Sequence, residues 1–241
     1  MQYVGSKGKV SKELVPFIQN FITDDCKGYI EPFVGGANII DKIKCDNKIG
    51  YDINPYLIAL LNHVKVTTED IPEEITREHY YDVKNNKNKY EDWYIGLIGF
   101  CGSFRAKFWG GYGCKGNKSK NKYSPYHYAK NSIIRQSENL MDITFICKDY
   151  SDLVNLSGYV IYCDPPYKGV TGYNFNFNYD DFYEWVRKMA TNNVVLVSEY
   201  EMPADFECIW EKSYTSLLSL NNPQIKNEKL FMYKNGIKSL S

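Results

Sequence analysis

The sequence predicts an α/β fold, a mostly parallel sheet carrying an inserted helical and loop lobe. Three observations predict it. The order strand, glycine loop, helix, strand, acid occupies the stretch from Gly28 to Asp52, which is the pattern of a nucleotide-binding βαβ unit. Residues 65–135 show no β-α alternation and are rich in Lys, Asn, Gly, Tyr and Trp. Apolar strand patterns then return at Ile143 to Cys147, Tyr159 to Cys163 and Val194 to Ser198.

Each element follows from its residues. Leu14, Val15, Phe17, Ile18, Phe21 and Ile22 form one stripe, so residues 11–23 are expected to be an amphipathic helix despite Pro16. Gly28 to Ile30 is a short strand entering the loop Glu31-Pro32-Phe33-Val34-Gly35-Gly36-Ala37-Asn38, with a helix expected at 39–44. Lys48 to Tyr51 is a second strand ending at Asp52, and Pro55 to Val64 a helix. A further helix is expected over Asp180 to Thr191, and strands in a hairpin from Phe206 onward, with Asn235-Gly236 as the turn. The expected organisation is a discontinuous core domain, 1–64 and 136–241, interrupted by a lobe at 65–135.

The chain has no net formal charge, but its charge is unevenly spread. From Lys84 to Arg135 eleven Lys and Arg stand against Glu91 and Asp92, a net +9, leaving −9 on the rest. Such asymmetry suits a lobe facing a polyanion, or a solvated Lys/Asn-rich loop. The seven cysteines are odd in number, lack Cys-x-x-Cys spacing and fall in elements that look buried, which argues against structural zinc and disulfides. His63, His79 and His127 have no metal-ligand spacing, and no metal is expected. No run approaches the length of a membrane span and the start lacks a signal-peptide pattern, so a cytoplasmic protein without membrane association or an obligate protein partner is expected.

The residues that carry chemistry begin with Tyr159-Val-Ile-Tyr-Cys-Asp164-Pro165-Pro166-Tyr167. An apolar strand delivers an acid, two prolines and an aromatic to its carboxyl end, where open α/β sheets place ligands. Successive prolines stiffen the turn, fixing the directions of Asp164 and the Pro165 carbonyl. Two fixed acceptors suit an aromatic amine: accepting both hydrogens of an adenine amino group localises its lone pair on nitrogen. Tyr167 is expected to stack on that base, which has to leave its helix to be reached. An ordinary strand-to-turn exit is the alternative. In the glycine loop, Gly35 and Gly36 permit close backbone approach, yet neither G-x-G-x-x-G nor a following Lys-Ser/Thr is present, which favours a small nucleoside ligand over a dinucleotide or a P-loop phosphate. Asp52 is placed either as an acceptor for ribose hydroxyls or as an N-cap before Pro55.

These motifs occur in order with Tyr3-Val4-Gly5-Ser6-Lys7 at the start, and in that order the chain resembles the Dam-type, D12 class adenine DNA methyltransferases, including those of bacteriophages. Ala37 departs from the pattern, standing where many relatives have a third glycine. The resemblance implies a Rossmann-like, seven-stranded class I methyltransferase sheet with one reversed terminal strand, S-adenosylmethionine as cofactor and double-stranded DNA as partner. It implies that Tyr3, Lys7, Phe33 and Gly35 lie by the cofactor, that Asp52 holds its ribose, and that Asp149 sits by its adenine unless it is only a turn residue. Asp164, Pro165, Pro166 and Tyr167 are the implied catalytic turn, with Asp164 counted among the cofactor contacts as well. Ser198 and Glu199 would shape the target pocket, although Glu199 could be a solvated strand end.

Thr171 to Asn178 is then a loop closing over the flipped base, or a plain surface loop. The stretch Phe100 to Tyr112 resembles a recognition region, with Arg105, Lys107, Trp109, Tyr112, Lys115 and Lys118 as DNA contacts; its alternative is a Gly/aromatic turn packed on its own lobe. Asn227 to Phe231 resembles the family's closing strand. The expected activity is methylation of the adenine amino nitrogen. Cytosine N4, RNA adenine or a protein glutamine amide are rival substrates, and a catalytically inactive DNA-binding homologue or a nucleotide-binding structural protein are the rivals from other classes.

Overall fold

The computed structural model describes residues 1–113, 124–167, 177–216 and 224–238. Among them seven strands, β1 (Gly28–Glu31), β2 (Lys48–Asp52), β3 (Ile143–Cys147), β4 (Tyr159–Cys163), β5 (Val194–Ser198), β6 (Phe206–Ser216) and β7 (Gln224–Tyr233), form one mixed sheet in the order β3-β2-β1-β4-β5-β7-β6. This is the expected seven-stranded α/β sheet, with the last strand in sequence reversed. β1 and β4 pair in parallel, Gly28 opposite Tyr159 and Ile30 opposite Ile161, and β4 pairs in parallel with β5. β7 alone is antiparallel to both of its neighbours, Ser198 of β5 facing Leu230 and Phe206 of β6 facing Tyr233.

The chain divides into two compact units. The first contains residues 1–9, 34–42 and 50–148, and with them α2 (Pro55–Val64), α3 (Arg77–Asn85), α4 (Asp92–Cys101) and α5 (Pro125–Ser137). α2 starts where Asn54 Oδ1 accepts the N–H groups of Tyr56 and Leu57, with Pro55 in the first turn. Its Leu57, Leu60, Leu61 and Val64, at helical spacing, are buried. α4 packs so closely on α2 that a Cβ on Gly96 would lie 2.1 Å from the Tyr56 carbonyl oxygen, so only glycine fits there. The described residues of 65–135 carry helices and no named strand.

The second unit contains residues 10–33, 43–49 and 149–241, with α1 (Ser11–Gln19) and α6 (Tyr179–Met189). β4 and β5 are almost wholly buried apolar runs, as strands covered on both faces must be. Asn178 caps α6 through the N–H groups of Asp180 and Asp181, and Phe182, Trp185, Val186 and Met189 bury its inner stripe. The fully buried Asn193 joins the end of α6 to the start of β4, donating to Leu156 O and Met189 O and accepting from Tyr159 N–H.

Several local expectations are corrected. The helix expected at 39–44 is a single 3-10 turn, Ile40–Lys42, and the first helix ends at Gln19 rather than 23. Asn235-Gly236 does form a turn, Gly236 N–H donating to Tyr233 O, but it follows β7 instead of joining two strands. The residues between β6 and β7 lie outside those described. The cysteines are less hidden than expected: Cys101 and Cys163 are buried while Cys147 and Cys208 are exposed.

Candidate active site

In the first unit the glycine loop is fastened at its turn. Gly35 takes φ +48°, and its N–H donates to Asp52 Oδ2 across 3.2 Å. The Asp52 Oδ1 accepts Asn54 N–H at 3.0 Å. Asp52 is therefore not the cap of α2, a role Asn54 fills. Burial pushes the Asp52 carboxyl up to about 6, against the opposing pull of the Asn54 and Gly35 N–H donors. Tyr3 lies flush on the loop: a Cβ at Gly35 would come within 3.0 Å of its ring, and one at Gly36 within 2.8 Å of its Cβ. The Tyr3 ring also packs on Phe100, 5.6 Å between centroids. Tyr3, Gly35 and Asp52 are thus brought together, and Lys7 is buried in the same unit.

The loop also carries strain. Ala37 takes φ +54°, where a side chain is disfavoured. A side chain that sequence reasoning missed holds it there: Gln136 Nε2, from the end of α5, donates to Gly36 O at 3.2 Å, Ala37 O at 2.9 Å and Asp41 Oδ2 at 2.8 Å.

In the second unit the turn after β4 is braced on two sides. The Tyr167 hydroxyl donates to Glu228 on β7, and its ring meets Tyr200 edge-on at 4.6 Å. The Tyr179 hydroxyl, at the first residue of α6, donates to the Pro166 carbonyl at 2.9 Å. Asp164 is only half-buried, while Pro165 is buried. Burial and the Asp164 and Glu228 carboxylates push the Tyr167 phenol well above its usual value, so it remains a donor. Burial and then Asp164 do the same to Tyr162, whose hydroxyl pairs with Ser198 Oγ at 2.8 Å. Glu199 is 1% exposed and accepts the Tyr200 N–H, so it is no solvated strand end. Glu31, buried as well, accepts from the Tyr29 hydroxyl at 2.8 Å.

Phe33 stands in an aromatic cluster with Tyr150 at 5.3 Å, Phe182 at 5.7 Å and Phe177 at 5.9 Å. Asp149 caps the short turn after β3, its Oδ1 accepting the Ser151 N–H at 2.8 Å and the Ser151 hydroxyl at 2.6 Å. Its contacts are those of a turn residue. Of the aromatic stretch 171–178, residues 171–176 lie outside those described.

The stretch from Ser103 to Tyr112 folds back on itself, with Phe104 N–H donating to Gly111 O and Gly113 N–H to Gly102 O, both 2.8 Å. Arg105, Ala106 and Trp109 all take left-handed angles, φ +55°, +53° and +54°. Trp109 packs edge-on against Tyr80 at 5.2 Å, and Tyr112 gives its hydroxyl to Ile75 O, so both serve as anchors within the unit. Arg105 and Lys107 are exposed, beside a Phe104 that is 59% exposed. Lys115 and Lys118 lie outside the described residues.

The chain is 29% identical over 161 residues to the DNA adenine methylase of Escherichia coli strain K12, covering 57% of this chain and 55% of that one. It is 29% identical over 179 residues to the DNA adenine methylase of Vibrio cholerae, covering 66% and 62%. With the Type II methyltransferase M.FokI of Planomicrobium okeanokoites it shares 25% identity over 209 residues, 78% of this chain and 31% of that one. The chain thus spans little more than half the length of the DNA adenine methylases it matches. Among solved structures, the rRNA methyltransferase aviRa from Streptomyces viridochromogenes superposes with a TM-score of 0.44 at 10% identity, covering 97% of this chain and 87% of that one. The family model for D12 class N6 adenine-specific DNA methyltransferases matches residues 3–220, and the chain belongs to that family.

Proposed function

We propose that this protein transfers the methyl group of S-adenosylmethionine to the N6 amino nitrogen of an adenine turned out of duplex DNA. The observation that carries the reading is the braced turn at the carboxyl end of β4. The half-exposed Asp164 lies between a buried strand and two prolines, with Tyr179 on the Pro166 carbonyl and Glu228 on the Tyr167 hydroxyl. A rigid acceptor pair needs no reorganisation as charge develops on the amine, which is where preorganised dipoles lower a barrier.

The residues of this chain suit a nucleoside cofactor. Asp52 offers a carboxylate beside the glycine loop, as a ribose diol requires. Tyr3, Lys7, Gly35 and Asp52, all of the first unit, would hold the cofactor. When bound, S-adenosylmethionine supplies a methyl carbon made electrophilic by its sulfonium. Asp164 and the Pro165 carbonyl accept the two amine hydrogens, keeping the nitrogen lone pair out of the purine ring. Tyr167 supports the base plane, and the surplus proton leaves through the Asp164 side of the site. Arg105 and Lys107, with Lys115 and Lys118, would bind the duplex; Trp109 and Tyr112 hold the loop that presents the first two.

Incubating the protein with duplex DNA and S-adenosylmethionine, then digesting to nucleosides for mass spectrometry, tests this. N6-methyladenine is expected. N4-methylcytosine, or product only with RNA, would overturn the substrate assignment, and DNA binding without cofactor uptake would make the protein an inactive homologue.

A further inference from the structure

Gln136 contacts the glycine loop from outside the stretch that forms it. Its amide can be oriented only one way: Nε2 faces the Gly36 and Ala37 carbonyls and the Asp41 carboxylate, while Oε1 accepts from the Met1 nitrogen. Gln136 is itself buried. Asp41, its third acceptor, is balanced by Lys42 at 2.6 Å. Ala37 meanwhile holds a left-handed angle that the loop alone would not favour. Because a trans peptide sets C=O and N–H in opposite directions, fastening the Ala37 carbonyl to Gln136 turns the Asn38 N–H the other way.

We propose that Gln136 is a positioning residue for the glycine loop, and that affinity for the nucleoside cofactor depends on it. The ligand assignment rests on the functional reading above; the clamp itself rests on the hydrogen bonds. Loss of this side chain leaves the Ala37 carbonyl without its buried donor and the Gly36 carbonyl with the Met1 nitrogen alone, and lets residues 36–37 relax toward an unstrained conformation. Gln136 touches no reacting atom. Its effect therefore falls on cofactor binding and not on the chemical step.

The test compares wild type with Gln136→Met, which keeps length and loses donors, and Gln136→Glu, which keeps length and an acceptor only. In the ligand-free proteins, hydrogen exchange is measured at the amides of residues 35–38 alongside the sheet. Faster exchange confined to the loop in both variants is expected, with the KM for S-adenosylmethionine up about tenfold, kcat at saturating cofactor within about threefold, and duplex affinity unchanged. Unchanged loop exchange and KM would overturn the proposal. So would exchange raised everywhere with kcat lowered at constant KM, which marks a general folding defect. Should wild type fail to bind S-adenosylmethionine by calorimetry, the functional reading and the ligand assignment fall together, while loop-confined exchange still establishes the clamp.

Discussion

The backbone N–H of Gly35 donates to Asp52 Oδ2 across 3.2 Å, so the loop after β1 and the end of β2 share one carboxylate. That carboxylate titrates upward, to about 6, because its burial outweighs its hydrogen bonds. The folded chain consequently holds a proton that the unfolded chain has released between the ordinary carboxyl value of 3.8 and about 6. This contribution to stability is complete below the lower value and is lost as pH rises through the upper one. Asp52→Asn removes the titration. The stability difference between wild type and Asp52→Asn, from urea unfolding at pH 4 and pH 7, is expected to move toward the variant at the higher pH, while the variant binds S-adenosylmethionine more weakly. A difference independent of pH would refute the shifted carboxyl.

Ala37 at φ +54° is expected to accept glycine. The relief of a left-handed alanine offsets glycine's extra backbone entropy, so Ala37→Gly should change stability by no more than about 1 kcal/mol. Gly35→Ala meets both φ +48° and the Tyr3 ring at 3.0 Å, and thermal unfolding should show a loss of roughly 1–3 kcal/mol.

Asp164→Ala is expected to abolish methylation while leaving duplex binding measurable by gel shift. Tyr167→Phe keeps the ring and loses the bond to Glu228, so its turnover should fall by about tenfold or less, whereas Tyr167→Ala should lose much more. Full turnover by Asp164→Ala would remove the acid from its proposed role.

Lys107→Ala should weaken binding to every duplex and lower the slope of log affinity against log salt by about one. Arg105→Ala should instead narrow the preference among sequences, a cost of about 1–3 kcal/mol on the favoured site alone. Equal, sequence-blind losses from both would make Arg105 a phosphate contact.

Trp109 fills space between Tyr80 and Phe108, but among the described residues its indole Nε1 is buried with no hydrogen-bond partner. Trp109→Phe should therefore cost less than a buried tryptophan usually does, within about 2 kcal/mol by calorimetry, while Trp109→Ala should cost about 3–5 kcal/mol.

The bounds of β4 and β5 are readable because a buried parallel strand is a continuous apolar run; β3 also starts and stops where its pattern does, although only Ile143 and Phe145 of it are buried. The 39–44 segment misled because Ile39, Ile40 and Ile43 are buried in what is mostly turn, and burial alone does not separate a short 3-10 turn from a helix. Asp52 stayed ambiguous until Asn54 was seen to take the cap. Glu199 keeps a solvated strand end open as the alternative to the target pocket in the sequence, because a lone acid after a strand is usually exposed; here it is buried and accepts its neighbour's N–H. Gln136 left no trace in local pattern, since its loop partners stand about a hundred residues earlier. Trp109 and Tyr112 stand among the expected DNA contacts on the resemblance alone, and their packing partners, distant in sequence, make them anchors of the turn.

β7 enters the sheet between β5 and β6, although both precede it in the chain. During synthesis the slot beside β5 has to stay open until residues 224–233 emerge, and β6 has no place in the sheet before then. Glu228 arrives on the strand that fills the slot, so the bond between it and the Tyr167 hydroxyl forms only at that late closure. A nascent chain halted before β7 would carry the whole Asp-Pro-Pro-Tyr segment, with Tyr179 to hold it, yet lack the second of its two braces.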